Sequence, residues 1–415
     1  MKPLIVEEAR RKFGRDLVIR TVGELALEGE DEERNNILVV GTLRKHHVME
    51  PSLLEEQELE LNVDFEPRHT DYIHEEESLS LEDQTASLEL AGWCLEPGEL
   101  VSDLVVGCWG SWGEGEFWVE ELLYSRVYGG TTPGEGDKVR EDVSVSVISG
   151  LELAGQDAGW LGSAGLAAAW LAGSAGGPGE QRELANTERL VLAGNSLGRS
   201  DTIYEEPERD KYRALPSTDR ALAGIRQLDD LLLEVVATLT TDLMAGPSDP
   251  VSPLLPQQPL AKGSLRLSSQ FPSLRTVTNP YTFRLADRII TTVAGQAIKD
   301  IMRNTRIKNP LVAMEKCLLW GHLAPITPST LTSSQSQESD TDTGMDPLVL
   351  LTMPDIFIAG NQPDYQARKT HIHGHPVLLV AVPRFSQTES LVRINLRTLR
   401  ARLVRFNADL DSVNG

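Results

Sequence analysis

Asp242-Leu243-Met244-Ala245-Gly246-Pro247-Ser248-Asp249-Pro250 is an apolar segment that stops at a tight Gly-Pro turn. The same pattern recurs at Ile148-Ser149-Gly150-Leu151, Leu192-Ala193-Gly194-Asn195, Val293-Ala294-Gly295-Gln296 and Ile358-Ala359-Gly360-Asn361. Glycine at such an end permits the positive φ that a sharp turn needs. The apolar runs at 143–149, 189–195, 287–293, 355–361 and 376–383 read as strands. Between them, 219–243 reads as one long helix, with Leu222, Ile225, Leu228, Leu231, Leu232, Val235 and Val236 on its apolar face. Strands separated by helical segments predict an α/β domain over 137–415. In such a sheet the turns gather at one edge, where sites are normally built.

Upstream the pattern changes. Residues 1–34 read as an amphipathic helix followed by an acidic linker over 24–34. Asn36-Ile37-Leu38-Val39-Val40-Gly41-Thr42-Leu43 is a buried strand by composition, and 78–90 alternates Leu79, Leu81, Leu88 and Leu90 with polar residues. The runs 104–110 and 116–119 flank a Gly-rich turn and predict a hairpin. Several short strands within 35–128 point to a small antiparallel barrel of the OB-fold kind. A Gly/Thr/Pro linker at 129–136 closes this block. The polar segment 330–347 is expected to be a disordered loop, and the Ala/Gly-rich segment 159–179 reads as a helix or a flexible insert.

Charge is distributed unevenly around a net −23, which argues against tight nucleic-acid binding through a general basic surface. Residues 51–100 hold fifteen acids and one base, Arg68; 261–320 hold ten bases against three acids; 384–405 hold six arginines against Glu389. Cys94, Cys108 and Cys317 are too far apart in sequence for a zinc knuckle and odd in number, so a reducing compartment is expected. Neither a secretory signal nor a membrane span is read from the chain.

The five turns resemble, in order and spacing, those of the calcineurin-like metallophosphoesterases. Active members carry Asp, His and Asn ligands there for two metal ions, which activate a water and clamp a phosphoryl group. That family's pattern runs D-x-H, GD, GNH with an acid, an isolated His, and GHxH. Here Ser149 and Leu151 stand at the first turn, and Ala193-Gly194-Asn195 lacks the ligand Asp of the second. Gly246-Pro247-Ser248-Asp249 replaces GNHD, and Gly360-Asn361-Gln362-Pro363 replaces GHxH. Neutral Ser, Leu and Gln are poor ligands for a dinuclear site, so the resemblance implies an inactivated one.

An inactivated phosphoesterase domain behind an OB-fold is the architecture of the replicative DNA polymerase B-subunits, which the chain resembles over roughly 36–400. Leu255-Pro256-Gln257-Gln258-Pro259-Leu260, Val277-Thr278-Asn279-Pro280-Tyr281 and Val377-Leu378-Leu379-Val380-Ala381-Val382-Pro383-Arg384-Phe385-Ser386 carry the likeness to the delta branch. The resemblance implies a nuclear, non-catalytic scaffold with no catalytic, metal or cofactor-binding residue. Its expected partners are the cysteine-rich C-terminal tail of a polymerase catalytic subunit and a third polymerase delta subunit. DNA contact is expected to be weak, through the basic stretches 262–316 and 384–405. One rival is a working phosphodiesterase or exonuclease using Asp249, Asn195, Asn361 and the histidines of 371–375; another is a B-subunit of polymerase alpha or epsilon.

Three further features read as structural. His371-Ile372-His373-Gly374-His375 is a surface turn ahead of the strand at Val377. Gly110-Ser111-Trp112-Gly113-Glu114-Gly115 lacks the Lys-Ser/Thr of a phosphate loop and reads as a hairpin turn. Trp109, Trp112, Phe117 and Trp118 read as barrel core or partner contact, because the acidic block around them repels phosphate.

Overall fold

The computed structural model describes residues 1–27, 34–46, 72–74, 76–113, 115–127, 142–155, 159–198, 217–326 and 346–408. Its first segment carries α1 (Lys2–Phe13), β1 (Val18–Arg20), α2 (Val22–Ala26), β2 (Arg34–His46), β3 (Ser78–Glu82), β4 (Ser87–Ala91), β5 (Val105–Gly113) and β6 (Glu116–Leu123). Next come β7 (Ser144–Ile148), α3 (Leu161–Leu171), α4 (Pro178–Leu184), β8 (Thr187–Ala193), α5 (Ser217–Val236) and β9 (Thr240–Met244). After these lie β10 (Leu274–Val277), β11 (Tyr281–Leu285), β12 (Arg288–Val293), α6 (Gln296–Asn304) and α7 (Pro310–Trp320). The chain continues through β13 (Ile356–Gln362), β14 (Gln366–Ile372), β15 (His375–Pro383), α8 (Phe385–Thr388), β16 (Ser390–Asn395) and β17 (Arg400–Arg405).

Two units emerge: Met1–Gly130 with Ala297–Met353 and His371–His375, and Thr131–Gln296 with Pro354–Thr370 and Pro376–Gly415. In the first, β2, β3, β4, β6 and β5 are neighbours in that order, and β5 returns to β2, closing a barrel. Alternation fills it: on β6, Phe117 and Val119 are buried while Glu116, Trp118 and Glu120 face out. Trp112 is also buried, whereas Trp118 is 48% exposed. Ile5 and Ala9 of α1 pack on Leu38 and Leu123 of the barrel. Phe13 stacks on Trp109 with ring centroids 4.4 Å apart.

The segment expected to be an acidic linker starts as a helix. Thr21 and Glu24 form a capping box at α2, each side chain meeting the other's backbone N–H (3.2 and 3.0 Å). Residues 28–33 of that linker lie outside the described residues, as do 51–71 of the acidic block, the linker 129–136 and most of the loop 330–347.

The boundary between units is not a single point in sequence, in contrast to the continuous second domain expected over 137–415. Ala297–Met353 belongs to the first unit, and polar contacts give the reason. Lys45 Nζ on β2 donates to the Asn304 carbonyl (2.8 Å), and the Arg306 N–H donates to the Gly98 carbonyl (2.7 Å). Ser125 Oγ donates to the Trp320 carbonyl (3.4 Å), and Lys316 pairs with Glu99 (2.7 Å). Between them, α7 is sharply bounded, with Asn309 capping the Leu311 N–H (2.8 Å) and Gly321 in the left-handed region.

The second unit is built on two sheets. One has the order β10-β9-β8-β7-β16-β17, with β10, β9, β8 and β7 parallel; the other is β11-β12-β13-β15-β14, with β12, β13 and β15 parallel. The period of two assigns each β8 side chain to a layer. Val191 and Ala193 pack against the second sheet, with Ile290, Ile358 and Val380. Leu190 and Leu192 pack on the helical side, with Ala167, Leu228 and Leu232. The biased segment 159–179 therefore contains a helix, α3, whose alanines line the α5 interface.

The long helix expected over 219–243 is corrected: it stops at Val236, and Thr240–Met244 forms β9 between β8 and β10. Thr238, Thr240 and Thr241 sit where the chain leaves the helix, and β-branched residues favour the strand. Among the described residues no helix is long and apolar enough to cross a membrane. Cys94, Cys108 and Cys317 are free thiols.

Candidate functional site

The C-terminal ends of β7, β8, β9, β12 and β13 carry the five turns singled out in the sequence, and the second unit brings them together. Asn195 and Asn361 both take φ 55, a conformation that asparagine tolerates better than most residues. The turns abut closely. A Cβ at Gly194 (φ 83) would stand 2.5 Å from Ala294 Cβ, and one at Gly295 (φ 100) only 2.0 Å from the Gly360 carbonyl oxygen. Glycine is needed at both, for space as well as for φ.

Side chains at the expected ligand positions are spent on binding these turns to one another. Ser149 Oγ donates to the Pro383 carbonyl (3.0 Å) and accepts from the Asn361 N–H (3.0 Å). Asn361 Nδ2 donates to the carbonyls of Ala294 (2.8 Å) and Ala193 (3.3 Å). Asn195 Oδ1 accepts from the Ser248 N–H (3.1 Å). Asp249 accepts from the Leu197 N–H at Oδ1 (2.8 Å) and from the Gly246 N–H at Oδ2 (2.7 Å). Burial pushes the Asp249 carboxyl up to about 6, against backbone N–H groups that favour its charged form.

Two residues that the sequence offered only as part of a likeness complete the web. Gln257 Nε2 donates to the Gly246 carbonyl (2.9 Å), and Gln257 Oε1 accepts from Asn279 Nδ2 (3.1 Å). Asn279 Oδ1 in turn accepts from the Ala294 N–H (3.1 Å). Both side chains are buried. Their signal in the sequence was an amide between prolines at 256 and 259 and another beside Pro280. That signal carries no partner information until the fold is known.

Asn361 Oδ1 and Gln362 Oε1 are buried without a donor. They are two neutral oxygens, and the one carboxylate among the turn residues, Asp249, already holds two N–H groups. Among the described residues, no three or more His, Cys, Asp or Glu side chains are grouped to hold a metal. The 371–375 histidines form a turn: His373 (φ 50) and Gly374 (φ 83) connect β14 to β15, with His371 exposed and Ile372 buried. Ser149→Ala, which strips the Asn361 N–H and the Pro383 carbonyl of their shared partner, is expected to cost about 1–3 kcal/mol in denaturant unfolding.

Comparison with known proteins gives a consistent picture. Residues 145–367 match the DNA polymerase alpha/epsilon B-subunit family. Residues 1–122 match the DNA polymerase delta subunit OB-fold domain. The chain is 30% identical to "DNA polymerase delta subunit 2" of Drosophila melanogaster, covering 99% of this chain and 91% of that one. It is 30% identical to the "DNA polymerase delta small subunit" of Arabidopsis thaliana (92% and 84% covered) and 24% identical to that of Saccharomyces cerevisiae (83% and 73%). A solved archaeal phosphodiesterase aligns with a TM-score of 0.31 at 9% identity, over 63% of this chain and 99% of that one.

Proposed function

The chain belongs to the B-subunit family of DNA polymerases alpha and epsilon, among the delta small subunits, and from that membership we propose a non-catalytic scaffold that joins polymerase subunits. The family role is that of an accessory subunit in DNA replication, which interacts with other polymerase components. The partners proposed here are the C-terminal tail of the catalytic subunit and a third polymerase delta subunit. Work in the nucleus, in replication and repair, follows from those partners.

One observation supports the scaffold reading more than any other: the loop edge of the second unit uses its polar side chains internally. In a phosphoesterase-like sheet sandwich this edge would carry the two-metal centre, and catalysis there needs several charged or imidazole ligands. Ser149, Asn195, Asn361 and Asp249 do not fit that requirement, since three are neutral and the fourth is held by backbone N–H groups.

The reading is tested by co-elution of the full chain with the C-terminal tail of a polymerase delta catalytic subunit on a sizing column. A stoichiometric complex is the expected result. A folded, monodisperse chain that ignores the tail would overturn it. A parallel assay with a generic phosphodiester and added divalent metal is expected to show no turnover above buffer. Turnover abolished by Asp249→Ala would establish the enzymatic reading instead.

A further inference from the structure

β17 is the outermost strand of its sheet, and with β16 it collects four arginines of the basic stretch 384–405. Arg393 lies directly opposite Arg402 in the antiparallel register, and Asn395 lies opposite Arg400. Residues 400 and 402 are two apart and so share a face. Like charges set opposite each other across a ladder repel. Glu183 on α4 offsets this by pairing with both Arg393 (3.2 Å) and Arg402, and its carbonyl accepts from Arg393 as well. Arg397, in the turn between the strands, pairs with Asp142 (2.7 Å) where both are about half exposed.

Two acids thus face four arginines, and among the described residues no ion pair engages Arg400. These groups line an open groove of about 510 Å³. Arg393 is only 7% exposed, and its Nε is buried without an acceptor. The groove therefore keeps the exposed Arg400 guanidinium outside any ion pair among the described residues, on a chain whose net charge is −23.

We propose that this groove binds the sugar–phosphate backbone of nucleic acid, with Arg397, Arg400 and Arg402 as the contacting groups. The planar guanidinium fork matches phosphate oxygens in a bidentate way. Ser144, Asn186 and Thr398 add neutral hydrogen-bonding groups along the wall. An acidic peptide would look for an apolar anchor point, and among the described residues the lining offers only Ala401. Among the described residues no aromatic side chain lines the groove, so they offer no stacking for bases and recognition is independent of sequence. This inference goes beyond the scaffold role and leaves it intact.

The experiment is fluorescence anisotropy of the full chain with a short labelled DNA duplex across a range of salt. Arg397→Ala/Arg400→Ala is expected to weaken binding about tenfold at low salt and to lower the slope of log affinity against log salt by about two. Both side chains are exposed, so the fold is kept; circular dichroism checks this. Arg405→Ala, on the opposite face of β17, is expected to bind like the parent chain. Equal affinity for the double variant, or an equal loss for Arg405→Ala, would overturn the proposal. So would displacement of the DNA by polyglutamate at matched charge. Co-elution of the double variant with polymerase subunits tests the scaffold reading separately.

Discussion

Asp249→Ala is expected to lower stability by about 2–5 kcal/mol at pH 5, with the thermal midpoint falling by roughly 5–15 °C. The carboxyl is buried and binds the Leu197 and Gly246 N–H groups, so truncation leaves two donors with neither partner nor water. Because those donors belong to the turns after β8 and β9, the loss falls on the edge as a whole. Differential scanning calorimetry of the variant and the parent measures it directly. A change below about 1 kcal/mol would mean that the edge is not organised around this side chain.

The same residue has a signed dependence on pH. Its folded pKa of about 6 lies above the ordinary 3.8, so the native state holds the proton more tightly than the unfolded chain. The resulting stability is fully present below about pH 4 and is lost as pH rises through 6, on the order of 3 kcal/mol in all. Asp249→Asn cannot titrate there. The penalty for that substitution is therefore expected to shrink as pH rises from 4 to 6, and denaturant unfolding at several pH values reads it. A penalty that grows with pH would show that the hydrogen bonds outweigh burial.

Lys45→Met is the second large effect, expected to cost about 3–5 kcal/mol. Lys45 Nζ stands 2.9 Å from Glu77 Oε2, and the two side chains are 0% and 2% exposed. Burial lowers the Lys45 pKa, and Glu77 opposes that shift. Removing the ammonium leaves the Glu77 carboxylate buried beside one cation fewer and takes the donor from the Asn304 carbonyl. Lys45→Met/Glu77→Leu is expected to recover more than half of the loss, since a buried pair exchanged for apolar side chains is often close to neutral. Non-recovery would place the stabilisation in the Asn304 contact rather than in the pair.

Central strands were legible in the sequence because both their faces are buried. β13 and β15 carry runs of Val, Ile, Leu, Phe and Ala, β8 ends in one, and β7 and β12 interleave Val and Ile with buried Ser and Thr, as parallel strands between two layers allow. The C-terminal hairpin of β16 and the edge strand β17 was not legible. On β16 and β17 arginines interrupt Leu391, Val392, Ile394, Leu403 and Val404, so a local reading sees a basic patch where the register sees a ladder. β9 was absorbed into the preceding helix because Leu239 and Leu243 continue the apolar spacing of Leu228–Val236. At the candidate site, the identities of Ser149, Asn195, Asn361 and Asp249 were readable. What they bind instead was not, because, Gly246 apart, those partners are backbone groups from turns more than 50 residues away.

The assignment of Ala297–Met353 to the first unit also bears on how the chain is made. A ribosome releases the barrel strands early, yet the carbonyl that receives Lys45 and the helix ending at Trp320 emerge only about 200 residues later. At ordinary elongation rates of ~5–20 residues per second, the barrel waits roughly 10–40 s with an ammonium and a carboxylate not yet enclosed. Four of the six strands of the second unit's first sheet, β7 to β10, are synthesised during that interval. A nascent chain stalled before residue 297 should therefore present a barrel that proteases open readily, and one stalled after residue 353 should not.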